Sequence, residues 1–319
     1  MRHGILSILT VIILTGCFEK DEPIQPFPRG EVEQITLEVG PKYTHQLFYN
    51  FAQNEVVKSV LRNEWDIAFT SLSNNNSIYL NTGNTIYGAI SDKKEMSEVN
   101  DTVGLEFKWD WSNGRDDSTV LYNWEKNNTV AVFDLGYDLS NVHQGFVKVK
   151  FNMQNDSLVI QYGFIGQRTE RTVIIGKDDR YNRVYFSFTK GEQVNIEPVK
   201  TSYDLIFRQY IYYFQAEVLS YSVVGALYNP TNTKVMSITD KDFSDISLSD
   251  TANYTFSANH DVVGYDWKSF NIDEGVYIVY PDKNFIIQTA EGFFYKFHFV
   301  DFYNSSGERG YPKMESKLL

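Results

Sequence analysis

The 319-residue chain sets 29 Lys and Arg against 41 Asp and Glu, a net charge of −12, and contains one cysteine. The negative field removes the attraction on which nucleic-acid binding relies, and a lone cysteine excludes an internal disulfide, a CxxC redox pair and a Cys-rich zinc site. With 22 Tyr, 23 Phe and 5 Trp, 16% of the chain is aromatic, which favours half-buried pleated sheet over a helix bundle.

Residues 1–16 read as an export signal: Arg2 provides the positive start, and Ile5 to Leu14 an apolar run too short to span a bilayer. The run ends in Leu14-Thr15-Gly16-Cys17, which resembles the bacterial lipoprotein box, so Cys17 is the expected lipidation site and several acyl chains the expected anchor. Residues 17–30, with Pro23, Pro26 and Pro28 among charges, suit a solvated tether. Within it, Lys20-Asp21-Glu22 resembles the acidic export signal of Bacteroidetes lipoproteins. The expected location is the outer membrane, lipid-anchored and exposed at the cell surface.

From Glu31 onward apolar and polar residues mostly alternate, as in Val147-Lys148-Val149-Lys150-Phe151, where the lysines would face solvent. Tyr185 to Thr189 and Phe293 to Tyr303 also read as strands, and Asn113-Gly114, Asn229-Pro230 and Ser306-Gly307 as turns. No long amphipathic helix is expected. An internal repeat aligns Trp65-Asp66-Ile67-Ala68-Phe69 with Tyr203-Asp204-Leu205-Ile206-Phe207 at an offset of 138, and one residue of slippage brings Gly88-Ala89-Ile90 onto Gly225-Ala226-Leu227. The expected fold is all-β, with antiparallel sheets over residues 31–319 and two weakly similar halves, about 31–175 and 176–319.

Individual residues give fewer directions. His45 reads as a hydrogen-bonded strand histidine, His298 as a solvent-facing one, and His143 and His260 as loop residues that could present a ligand. No two histidines are spaced as a local metal pair, and no metal site is expected. Asp110, Asp116 and Asp117 surround a turn that reads as an acidic hairpin tip, with Ca²⁺ binding as the alternative. Its Trp109 and Trp111 either stack on sugar rings or pack inward. Tyr210 to Phe214, apolar on both faces, reads as a covered central strand, with a ligand slot as the minor alternative. The sequence has no Gly-x-Ser-x-Gly elbow, P-loop, dinucleotide fingerprint or HExxH, and a non-enzyme is expected.

Several segments together resemble the HmuY-like lipoproteins of Bacteroidetes. They are Trp65 to Phe69 with Ile78-Tyr79-Leu80-Asn81-Thr82-Gly83, Val184 to Phe188 with Ile196-Glu197-Pro198, Ser202 to Tyr210, Val223 to Asn229, and Tyr295 to Phe299 with Gly310-Tyr311. The resemblance implies an all-β fold and capture of haem or a related porphyrin as cargo for a TonB-dependent outer-membrane transporter. Haem asks for an apolar slot and axial His, Met or Tyr ligands, which makes His143, His260, Tyr212 and Met236 the candidates. Gln209-Tyr210-Ile211-Tyr212-Tyr213 departs from the pattern by offering aromatics where relatives are expected to carry His or Thr, and so speaks against bis-histidine ligation. A glycan-binding or adhesive module using Trp109 and Trp111 is the alternative from a different class.

Overall fold

The computed structural model describes residues 30–214 and 219–319; the export signal, Cys17 and nearly all of the tether lie outside them. The described strands fall into two series. The first comprises β1 (Glu33–Thr36), β2 (His45–Asn50), β3 (Glu55–Leu61), β4 (Ile67–Thr70), β5 (Ile78–Leu80), β6 (Tyr87–Ile90), β7 (Ala131–Asp134), β8 (Phe146–Gln154) and β9 (Ser157–Phe164). The second comprises β10 (Arg171–Gly176), β11 (Arg183–Ser187), β12 (Glu192–Val194), β13 (Leu205–Phe214), β14 (Leu219–Tyr228), β15 (Lys234–Ile238), β16 (Lys268–Asn271), β17 (Val276–Val279), β18 (Asn284–Gln288), β19 (Phe294–Tyr303) and β20 (Arg309–Leu318). The single described α-helix is one turn, Trp124–Asn127.

All pairings between these strands are antiparallel, in two five-stranded sheets, two four-stranded sheets and the β16–β17 hairpin. The two series are topologically equivalent: the order β6-β7-β8-β9-β10 in one five-stranded sheet recurs as β15-β18-β19-β20-β1 in the other. Each sheet borrows a strand from the opposite series, so β1 closes the sheet of the second and β10 that of the first. The four-stranded sheets, β3-β2-β13-β14 and β12-β11-β4-β5, are exchanged in the same way. The second series begins at β10, so the expected boundary at 175/176 falls inside a strand. The slipped alignment of Gly88-Ala89-Ile90 with Gly225-Ala226-Leu227 is corrected. Gly88 lies in β6, paired with β7, whereas Gly225 lies in β14, paired with β13 as β5 is with β4.

Period-two alternation explains the four layers. On β4, Ile67 and Phe69 face the first five-stranded sheet, meeting Phe133, Val149 and Ile160, while Ala68 turns inward. On β13, Leu205 and Phe207 face Phe285, Phe297 and Phe299 of the second, while Ile206 turns inward. The inward residues join Phe48, Trp65, Tyr185 and Tyr203 between the four-stranded sheets. Val147, Val149 and Phe151 of β8 are core, as expected, but the other face is covered at Lys148 and becomes exposed only at Asn152 and Gln154. Lys148 and its topological equivalent Lys296 are buried, and their Nζ atoms donate to Met96 O (2.7 Å) and Phe243 O (2.6 Å) of short segments laid over each outer sheet. His298 is likewise corrected from solvent-facing to buried: the Phe243 ring stacks on it at 4.0 Å, and its Nδ1 pairs with Pro281 O. His45 is a strand histidine bonded to Thr44 Oγ1, as expected.

Two buried aspartates lock the exchanged strands reciprocally. Asp66 accepts from the Phe188 backbone N–H (2.7 Å), and its repeat counterpart Asp204 accepts from that of Phe51 (2.8 Å). Asn81 and Asn229 repeat the logic: Asn81 Nδ2 donates to Arg62 O and Trp65 O, and Asn229 Nδ2 to Lys200 O and Tyr203 O.

Candidate functional site

The long β6–β7 and β15–β18 connections occupy equivalent places in the two series, and they touch. The His260 N–H donates to Asn113 O (3.0 Å) and Ser112 Oγ donates to Asp261 Oδ2 (2.5 Å), while the Tyr228 N–H at the end of β14 donates to His260 O (3.0 Å). The contact needs Gly114, whose φ is +77° and where a Cβ would sit 2.1 Å from the His260 ring. A second close approach, Gly225 against Gly264 O, lets Ala226 and Gly264 exchange both backbone hydrogen bonds.

Beside this junction β13 runs past the end of β2. From Arg208 onward its ladder partner is β14 alone, and the strand carries Tyr212 and Tyr213 out as a two-stranded finger. The expected covered central strand therefore holds only for its first part; Tyr212, Tyr213 and Phe214 are half-buried. Trp109 and Trp111 approach the finger from the β6–β7 connection. Lys108 exchanges backbone hydrogen bonds with Gly88 of β6, and the Trp111 N–H donates to Ser118 O. Asp110 between them is 6% exposed, not part of an acidic tip. Its carboxylate accepts from the Leu80 N–H (2.6 Å) and the Val120 N–H (2.8 Å), which turns both tryptophans to the opposite side. Asp116 accepts from Asn75 and Tyr79, and Asp117 pairs with Arg115, so the three carboxylates serve separate partners. Among the described residues no group of three or more His, Cys, Asp or Glu side chains could hold a metal ion.

The result is an aromatic cleft with two lobes. The Tyr213 ring lies 5.2 Å from Trp111 and 5.9 Å from Trp109, and Trp109 meets Tyr87 edge-on at 5.9 Å. Contacts of this kind contribute about 0.5–1.5 kcal/mol each beyond burial, enough to hold a platform in place. One lobe, of about 410 Å³, is lined by Lys108, Trp109, Trp111, Asp117 to Val120 and Tyr213. The other, of about 290 Å³, shares Trp111 and Tyr213 and adds Ser112, Asn113, Tyr212, Asn259 and Asp261. The Trp109 indole N–H in the cleft wall is buried and donates to no protein atom, and Trp111 is 39% exposed.

The structure thus brings together Trp109, Trp111 and Tyr212, and disperses the remaining candidates. His260 underlies the junction with its ring against Gly114 and Tyr228; burial, and secondarily Arg183, lower its pKa to about 4, so the imidazole is neutral. His143 sits on the β7–β8 connection, its Nε2 2.7 Å from Asp134 Oδ1 and its ring between Tyr137 and Phe146. Met236 is completely buried with Ile238, Ile246 and Ile286, where its thioether fills core space. Tyr212 packs on Phe214 and Tyr265, and burial, reinforced by Asp261 and Asp266, raises its phenol pKa. Lys108 is not among the residues the sequence points to, and Tyr213 figures there only within the Tyr210 to Phe214 run, as part of a covered strand with a ligand slot as the minor alternative. The alternation in Lys108-Trp109-Asp110-Trp111 was the available signal for the platform, but only the fold brings Tyr213 against it.

Residues 179–315 match the family model of the HmuY protein. The match contains the quoted segments from Val184 onward; those at 65–83 precede it. Among solved structures, the chain is similar to apo PinO from Porphyromonas gingivitis (9% identity, TM-score 0.35, 91% of this chain and 98% of that one). It is also similar to the apo HmuY analog TFO of Tannerella forsythia (11% identity, TM-score 0.26, 92% and 98%). A third similar structure is that of a Bacteroides vulgatus protein described as HmuY-like and heme-binding (12% identity, TM-score 0.22, 53% and 90%). No curated protein matches the chain. The matched residues supply the finger and the β15–β18 connection, while the two tryptophans come from the part of the chain that precedes them.

Proposed function

We propose that this chain is a binding protein, not an enzyme, that captures haem or a related porphyrin on the Trp109–Tyr213–Trp111 platform. The carrying observation is that platform, with Lys108 on its rim, in a chain whose residues 179–315 match the HmuY family. Flat aromatic faces suit the macrocycle, an ammonium suits a propionate, and the two volumes lie within or at the lower edge of the range of about 300–1,000 Å³ typical of small-ligand sites. The Arg115–Asp117 ion pair offsets the one carboxylate of the same lobe. Cys17 is the proposed lipid anchor, the outer membrane's external face the proposed location, and a TonB-dependent transporter the proposed recipient of the cargo.

Haemin titration, followed by tryptophan quenching and the Soret band, tests the binding reading; saturable binding lost in Trp111→Ala and Tyr213→Ala is expected, and a spectrum equal to the sum of its parts would sink it. Acyl-chain labelling of the wild type but not of Cys17→Ala tests the anchor. The exposed Trp111 face beside Ser118, Thr119, Asn113 and Asn259 favours a second reading, a surface glycan site. Glycan-array binding abolished by Trp111→Ala without any haemin response would select it.

A further inference from the structure

The side chains that line the cleft include Trp, Tyr, Lys, Ser, Thr, Asn, Asp and Val, but neither His nor Met. The nearest histidine in the chain order of the lining, His260, lies between Asn259 and Asp261, both of which face the cleft, while its own ring is engaged by Gly114 and Tyr228. His143 is held by Asp134, and Met236 is sealed in the core. Tyr212, the remaining oxygen donor named from the sequence, is kept as a neutral phenol by burial and by Asp261 and Asp266, and a neutral phenol is a poor ligand for iron. What the cleft does present is faces: two indoles and a phenol ring for stacking, with the exposed Lys108 ammonium, 3.7 Å from Glu106, at its edge for acidic substituents.

We propose, building on the porphyrin reading above, that recognition is directed at the macrocycle and its carboxylates and not at the metal, so that the ligand class is tetrapyrroles with or without iron. Stacking on Trp111 and Tyr213 acts on the π system, which both forms share, and Lys108 acts on propionates, which both forms carry. Because the lining has neither histidine nor methionine, iron gains no such ligand there, and removing it costs the complex little.

The experiment titrates the full-length protein in detergent with haemin and, separately, with iron-free protoporphyrin IX, reading tryptophan quenching for both and the visible spectrum of the haemin complex after reduction. Dissociation constants within about threefold of each other are expected, with no sharp low-spin α and β bands. Trp111→Ala and Tyr213→Ala should weaken both ligands more than tenfold, Lys108→Glu should weaken both several-fold, and Trp111→Phe should restore most of the loss, which separates platform from folding defects. Haemin binding more than tenfold tighter than protoporphyrin IX, or low-spin bands abolished by His260→Ala or His143→Ala, would overturn the inference while leaving haem capture intact. Binding of neither ligand would remove the haem reading and this inference together.

Discussion

At the scale of single residues, the buried carboxylates make a measurable demand on pH. Burial raises Asp66 and Asp204 to about 6 and Asp110 to about 7, although backbone N–H donors pull each of them back. In the unfolded chain all three lie near about 4, so between these values the folded state binds more protons and gains stability as pH falls. Burial also raises Glu197 and Asp261, which act in the same direction; His260, lowered to about 4, opposes them, and Lys268, lowered to about 7 by burial, acts mainly above the window. The melting temperature should therefore rise from pH 6.5 to pH 5, and the rise should flatten in an Asp66→Asn, Asp204→Asn double variant; a fall across that interval in the wild type would contradict the assignment. Gly114 makes a second demand. An alanine there meets the His260 ring and a positive φ, and a loss of about 1–3 kcal/mol in urea unfolding is expected.

At the scale of elements, the Asp66 and Asp204 clamps tie the edge of one series to the strands of the other. Replacing either with Ala leaves a buried backbone N–H without its acceptor, at an expected cost of about 1–3 kcal/mol in denaturant unfolding, and the two penalties should be similar because the sites are equivalent. Much of this was legible. Aromatic-Asp-aliphatic-x-Phe recurs at an offset of 138, and the strands at Val147 to Phe151 and Phe293 to Tyr303 appear where alternation places them. The failures share one cause. Lys148, Lys296 and His298 sit on the polar face of alternating strands, and alternation assigns that face to solvent; the segments that cover them are irregular, and periodicity carries no sign of where an irregular segment will lie. Asp110 was misread for the same reason, since its partners Leu80 and Val120 come from β5 and from a turn.

At the scale of the whole molecule, exchange of strands makes the two series interdependent. Each four-stranded sheet and each five-stranded sheet contains strands from both, so residues 30–166 and 167–319 made separately should each lack cooperative unfolding, and mixing them should restore it. A sharp transition in either fragment alone would show that the exchange is dispensable. The cleft obeys the same logic, because its tryptophans arrive with the first series and its tyrosines and Asp261 with the second. By itself the sequence determined the all-β class, the repeat, the acidic surface and the residue types available for binding, because these follow from composition and from the two-residue period of a strand. Only the tertiary structure decided which of those residues meet: Trp109 and Tyr213 are over a hundred positions apart, and what joins them is the ladder of a finger strand and the crossing of two irregular connections, neither of which is written in local pattern.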